Sequence, residues 1–165
     1  MISIIVAIGD QNNAIGRQGD LLCHLPDDLK HFKQITTGCT VIMGKRTFFS
    51  LPRHPLPNRR NIVITDIAGE QFDGAESAYS IDEALYKADA DKENFIIGGG
   101  MVYRQFMPLA DKLYITHIHN VWDDADTFFP EISTEDWQLT TIEHHTADVK
   151  NPYDYSFAEY IRIKN

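Results

Sequence analysis

The stretch Phe95-Ile96-Ile97-Gly98-Gly99-Gly100-Met101-Val102-Tyr103-Arg104-Gln105-Phe106 runs from an apolar segment through three glycines into a helical one. The apolar run reads as a strand buried on both faces, because a half-exposed strand would alternate with polar residues. Three glycines at its end let backbone amides approach a ligand closely, at the positive end of the following helix. An ordinary tight turn favours glycine as well, so this stretch alone leaves both readings open. The G-x-G-x-x-G spacing of the standard dinucleotide fingerprint is absent.

Upstream, the same alternation repeats. Ile2 to Ile8 and Thr40 to Met43 read as buried strands, and Asn61 to Thr65 as a third. Gly9 to His24 lacks periodicity, and a loop that long in a compact domain is usually functional, often a lid. Pro26-Asp27-Asp28 opens a helix that Gly38 ends. Gly44-Lys45-Arg46-Thr47 leads into a brief helix, and Pro52, Pro55 and Pro57 break the segment after it. Ser80-Ile81-Asp82-Glu83 has capping-box form and starts a helix through about Ala88. Downstream, Leu113 to Ile118 is another strand, and Gln138 to His144 with Tyr153 to Ile163 form a polar-interleaved closing pair. The expectation is one α/β domain over residues 1–165: a doubly wound, mostly parallel central sheet, helices on both faces, and an antiparallel C-terminal strand pair. Ligands bind such sheets beyond the carboxyl ends of the strands. Here those ends carry the Gly9–His24 loop, Gly44 to Thr47, Thr65-Asp66 and the triple glycine.

With 165 residues, 43% of them hydrophobic, the chain can bury a core. Its net charge of −9 argues against a nucleic-acid or membrane-surface partner. That charge is uneven. From Leu29 through Thr65 there is no acid, while Lys30, Lys33, Lys45, Arg46, Arg53, Arg59 and Arg60 supply +7. An acidic protein with one purely basic stretch suggests local anion sites. Two cysteines fit a reducing compartment, and no apolar run approaches the roughly 18 residues of a bilayer span. Nor does the start have the basic lead-in of a signal peptide, so a cytoplasmic protein is expected. His117 and His119 lack further ligand spacing, and Asp123, Asp124 and Asp126 lack a calcium-loop pattern, so no metal is expected. The tryptophans Trp122 and Trp137 read as packing residues.

Asp28 shares a helical stripe with Phe32 and Ile35, so its carboxylate faces an apolar side and should be desolvated. A first-turn acid serving the helix dipole is the bland alternative, and Asp27 would do that equally well. Lys45 and Arg46 sit at a helix start, which calls for a compensating anion or plain solvation. Arg59 and Arg60 raise the same question, and the nearby prolines favour a fixed presentation of one of the two guanidiniums to a carboxylate.

Taken in order, these segments resemble dihydrofolate reductases of the bacterial type. The resemblance rests on Ile15-Gly16, Leu25-Pro26-Asp27-Asp28-Leu29 with Phe32-Lys33, Val41 to Thr47, Pro55-Leu56-Pro57-Asn58-Arg59, Ile97 to Gly100 with Tyr103, Tyr114 to Ile118, and Asp126 to Pro130. It implies NADPH-dependent reduction of 7,8-dihydrofolate to tetrahydrofolate, in support of one-carbon metabolism, by a monomer that antifolates would target. It places Asp28 against the pterin amidine edge with Thr116 behind it, and Leu21 on the lid beside them, as the catalytic group. Ile5, Val6, Ala7, Leu29, Phe32, Leu51, Leu56, Arg59, Ile97 and Tyr103 would complete the folate site, with Arg59 taking the glutamate carboxylate. The cofactor would meet Ala7, Ile15, Gly16, Gly19, Asp20 and Leu21 along the lid, and Ile97 to Tyr103 with Met101, Val102 and the glycines. Gly44, Lys45, Arg46, Thr47, Thr65, Asp66 and Thr127 would complete its site, the basic pair on phosphate.

Three residues depart from the family pattern. Cys23 stands where many members have Trp, Leu21-Leu22 where Met-Pro is frequent, and Asp66 where a hydroxyl, amide or basic residue is usual. An acid at position 66 is expected to weaken preference for the phosphorylated cofactor unless it points away. A pterin- or pyrimidine-reductase relative and a non-catalytic, flavodoxin-like anion-binding module are the alternatives. The position of Asp28 distinguishes the last of these.

Overall fold

A computed structural model describes residues 1–164. In chain order the elements are β1 (Ile2–Gly9), β2 (Ala14–Gly16), α1 (Pro26–Thr36), β3 (Thr40–Gly44), α2 (Lys45–Ser50), β4 (Arg60–Ile64), β5 (Glu76–Ala78), α3 (Ile81–Lys87), β6 (Asn94–Ile96), α4 (Gly100–Phe106), β7 (Lys112–Ile118), β8 (Thr127–Phe128), β9 (Trp137–His145) and β10 (Tyr155–Arg162). Eight strands form one sheet in the order β5-β4-β3-β6-β1-β7-β10-β9. Pairing is parallel from β5 through β7 and antiparallel for β10 with β7 and β9. No helix among the described residues is long and apolar enough to cross a membrane.

Strand alternation sends neighbouring side chains to opposite faces. Ile4, Ile42, Ile62, Ile96 and Ile115 therefore join one core with Ala84 of α3 and Val102, Tyr103 and Phe106 of α4. Ile5, Val41, Met43, Val63 and Phe95 join a second with Phe48 of α2 and the α1 residues Phe32 and Ile35. Helices thus cover both faces, as the pattern of buried strands requires. Trp137 lies in the first core, and Trp122 in a third with Leu25 and Tyr155.

Local signals behave as expected at several termini. Pro26 opens α1 with Asp27 and Asp28 in its first turn, and Gly38 follows its end at φ +85°. Ser80 Oγ accepts the Glu83 N–H at 3.0 Å, while the Glu83 carboxylate accepts the Tyr79 N–H at 2.9 Å.

Three features differ from the sequence expectation. The Gly9–His24 segment contains β2, which pairs antiparallel with β8. Short β5, without an apolar run, forms only because β4 offers it an edge. β10 begins at Tyr155 rather than Tyr153. Before it, the Asp154 carboxylate accepts the Ala147 N–H at 2.6 Å and closes the turn from β9.

Candidate active site

The two acids at the start of α1 take different roles. Asp27 is exposed and accepts the Tyr155 hydroxyl at 2.9 Å. Asp28 turns toward the sheet, and its Oδ1 accepts the Thr116 hydroxyl at 2.5 Å. Thr116 on β7 is in register with Ala7 on β1, so the carboxylate lies over the β1–β7 pair. It lines a cleft of about 430 Å³ shared with Ala7, Ile15, Leu21, Leu22, Cys23, His24, Leu25, Leu29 and Ile118. Desolvation raises the Asp28 carboxyl above its ordinary pKa, against the opposing hydrogen bond from Thr116. Burial, with the Asp28 charge second, pushes the Cys23 thiol up to about 11. Cys23 therefore meets the cleft as a neutral thiol.

Arg59 lies over the core on the α1–α2 face. Its Nε donates to the Pro57 carbonyl at 2.9 Å and its Nη1 to Thr36 Oγ1 at 3.0 Å. Thr36, fully buried at the end of α1, donates in turn to the Phe32 carbonyl at 2.8 Å. The guanidinium lies 5.8 Å from the centre of the Phe32 ring. No acid pairs with Arg59 among the described residues. Phe32, Leu51, Leu56 and Ile97 are partly buried against the same core and leave an apolar wall beside it.

Across the sheet edge, the ends of β3 and β6 meet. The Gly44 N–H donates to the Gly98 carbonyl at 2.9 Å. Gly98 has φ +126°, a conformation L side chains rarely adopt, which accounts for glycine at that position. A Cβ on Gly100 would lie 2.6 Å from Thr127 Cγ2, so this approach also needs glycine. Gly99 caps α4 without a side-chain bond. The Tyr103 N–H makes the first turn's bond to Gly99, leaving the N–H groups of Gly100, Met101 and Val102 without intrahelical acceptors. A Cβ on Gly99 would meet only Thr47 Oγ1, at 3.5 Å, and would fill open space beside that hydroxyl. Bare backbone donors, a hydroxyl and the nearby Lys45 and Arg46 form a donor set that fits a dinucleotide's phosphates. The Tyr103 hydroxyl is buried and donates to the Ile5 carbonyl at 2.9 Å. Burial raises its pKa, with Asp28 contributing.

The Gly9–His24 segment folds back over this edge. Gln18 at φ +52° and Gly19 at φ +79° make the tight turn at its tip, which Arg17 and Asp20 close with reciprocal backbone bonds. Arg17 pairs with Asp124 at 2.6 Å, and the Gln18 N–H donates to Asp126 Oδ2 at 2.8 Å. Asp124 and Asp126 therefore hold the tip of this loop.

Of the sequence-predicted residues, Ala7, Ile15, Leu21, Asp28 and Leu29 line one cleft with Thr116 behind Asp28. Gly16 lies on β2, and Gly19 and Asp20 lie at the exposed tip of the loop. Val6 differs: its side chain turns into the α3–α4 core, so only its backbone is available to a ligand. Asp66 is exposed just beyond β4. Thr36 and Glu70 were not singled out by sequence. The Thr36 signal would have been its place one turn after Phe32 on the apolar stripe; Glu70, in a turn, had none.

Fold and cleft together define an α/β protein with a desolvated carboxylate in a cleft over the β1–β7 pair and bare backbone donors at the neighbouring strand ends. Residues 1–162 match the family model described as dihydrofolate reductase. Dihydrofolate reductase of Bacillus subtilis (strain 168) is 45% identical over 160 residues, covering 97% of this chain and 94% of that protein. Dihydrofolate reductase type 3 of Salmonella typhimurium is 43% identical over 162 residues, 98% of each. Enterococcus faecalis dihydrofolate reductase, solved with NADP(H) and RAB-propyl, superposes with a TM-score of 0.90 at 37% identity, over 99% of this chain and 97% of that one. The chain belongs to the dihydrofolate reductase family.

Proposed function

We propose that the protein reduces 7,8-dihydrofolate to 5,6,7,8-tetrahydrofolate, consuming NADPH and one proton. The observation that carries this reading is the desolvated Asp28 carboxylate, bonded to Thr116 and without a cation partner among the described residues, at the base of a cleft whose other wall is apolar. Such a carboxylate accepts two parallel hydrogen bonds from the amidine edge of a pterin. Its charge favours the protonated form of the ring nitrogen next to the carbon that receives hydride, with water as the proton source. Thr116 holds the carboxylate in one orientation, which leaves Oδ2 and the second lone pair of Oδ1 for the ligand. Leu21, Leu22 and Ile15 exclude bulk water, and Phe32, Leu51 and Leu56 flank the benzoyl ring. Arg59, already oriented by Thr36 and Pro57, takes the glutamate carboxylate. NADPH, when bound, supplies the hydride. Gly98 to Val102, Thr47, Lys45 and Arg46 position its phosphates, while the Ala7 and Ile15 surfaces meet the nicotinamide.

The test is loss of the near-ultraviolet absorbance of reduced nicotinamide when NADPH and dihydrofolate are mixed with the protein. Folded protein that gives no turnover, or an Asp28→Asn variant that turns over like the wild type, refutes the proposal.

A further inference from the structure

Glu70 lies in the turn after β4, outside every role described so far, yet it is held at both ends. Its carbonyl accepts the Ser77 hydroxyl at 2.7 Å and the Tyr79 hydroxyl at 3.2 Å, and its N–H donates to the Ile67 carbonyl at 3.2 Å. Lys45 Nζ lies 2.9 Å from its Oε2 and 3.2 Å from its Oε1, and the Thr65 hydroxyl also donates to Oε1. Thr65 has a second commitment, accepting the Ile67 N–H at 3.2 Å. The groups best placed to take an anion beyond the ends of β3 and β4 therefore already hold one. Asp66, the next residue after Thr65, adds an exposed negative charge, and Arg46, the next residue after Lys45, is an exposed cation. A ribose phosphomonoester brings close to two negative charges at neutral pH, so it meets two acids as well as two cations.

We propose that Glu70 is a built-in competitor for the adenosine-ribose phosphate of the cofactor. Its carboxylate occupies Lys45 and Thr65, and this end of the site discriminates only weakly between a dinucleotide that carries the phosphate and one that lacks it. The inference rests on the dihydrofolate reductase reading, which places the cofactor phosphate at Lys45. The Lys45–Glu70 pair is half-exposed, so it yields to a doubly charged ligand rather than blocking it. Displacement nevertheless breaks two charge-assisted hydrogen bonds and leaves Glu70 beside the incoming phosphate. A carboxylate that merely held Lys45 in position for phosphate would act with the opposite sign, because its removal would weaken phosphate binding.

The experiment titrates full-length wild type and Glu70→Gln with NADPH and NADH, following quenching of tryptophan fluorescence without folate. Adenosine 2′,5′-bisphosphate and adenosine 5′-monophosphate serve as fragments that cannot turn over. Glu70→Gln should tighten NADPH and the bisphosphate about fivefold and change NADH and the monophosphate less than about twofold, the range for a partly exposed ion pair. Glu70→Ala, which cannot restore a hydrogen bond to Thr65, should shift selectivity the same way, with melting curves confirming that both variants fold. Equal tightening of all four ligands, no change, or weaker binding of the phosphorylated pair overturns the inference while leaving NADPH-dependent turnover intact. Wild-type protein that binds neither dinucleotide overturns the reading of the site and this inference with it.

Discussion

The half of the cleft that we assign to folate and the half that we assign to the dinucleotide treat charge in opposite ways. On that first side, among the described residues, the Asp28 carboxylate has only the Thr116 hydroxyl as hydrogen-bond partner, and the Arg59 guanidinium only the Thr36 hydroxyl and Pro57 carbonyl. Neutral partners fix each group's direction and leave its charge uncompensated, which is how a site is preorganised for a ligand of opposite charge. On the dinucleotide side, Lys45 is paired with Glu70, and Arg17 of the lid with Asp124. There the charges are already balanced, and a ligand must exchange partners. Strength of binding should therefore be concentrated on the folate side, and ease of exchange on the other.

Asp28→Asn is the strongest way to break this contrast. Near neutral pH it should lower kcat/KM for dihydrofolate about 10²–10³-fold, the cost of losing one preorganised charge-stabilising group, while NADPH binding changes little. The same variant should be more stable than the wild type. Desolvation raises the folded Asp28 pKa above its ordinary value of 3.8, so stability is lost as pH rises from that value through the folded one. Above the folded value the penalty is complete. Each kcal/mol relieved by Asn should raise Tm by about 2–4 °C at neutral pH, and the gain should vanish below pH 3.8. A Tm that falls at neutral pH would mean Asp28 is compensated after all. Arg59→Ala comes next. It should raise KM for dihydrofolate about 30–100-fold with kcat nearly kept, because a charge-assisted bidentate pair is lost. Arg59→Lys should recover only part of that, since a lysine lacks the planar fork. Thr36→Val tests whether a neutral anchor matters, and KM should rise about fivefold, one hydrogen bond's worth. Smallest is Arg17→Ala: an exposed lid pair should change steady-state constants less than about twofold. A larger effect would place strong electrostatics on the wrong side of the comparison.

Sequence legibility follows the same division. Buried strands such as Ile2 to Ile8 and Thr40 to Met43, the caps of α1 and α3, and the stripe joining Asp28 to Phe32 carry local periodicity, and all could be read. Helical geometry put Asp28 on the apolar stripe but left a plain first-turn acid open; the resemblance favoured Asp28, and the fold turns it into the cleft. What escaped depends on contacts between distant segments. β2 and β8 are two or three residues each and become strands only by meeting each other. Asp124 and Asp126 looked like a failed calcium loop, because the partners that explain them lie more than a hundred residues earlier. Glu70 sits in a turn without a motif and acquires a role only when the loop after β4 folds onto Lys45. The acid-free stretch from Leu29 to Thr65 was real, yet one of its cations is neutralised by an acid from just beyond it.

Sheet order also sets a timetable for synthesis. β1 lies between β6 and β7, so both of its neighbours are made at least 80 residues after it. On a ribosome adding roughly 5–20 residues per second, that wait lasts seconds. During it the segment Ile2-Ser3-Ile4-Ile5-Val6-Ala7-Ile8 has two unpaired edges and a high β-propensity, a combination that favours association with other chains. The strand at the centre of the finished enzyme is thus the nascent chain's most exposed hazard, and the segment a holdase chaperone would be expected to cover first.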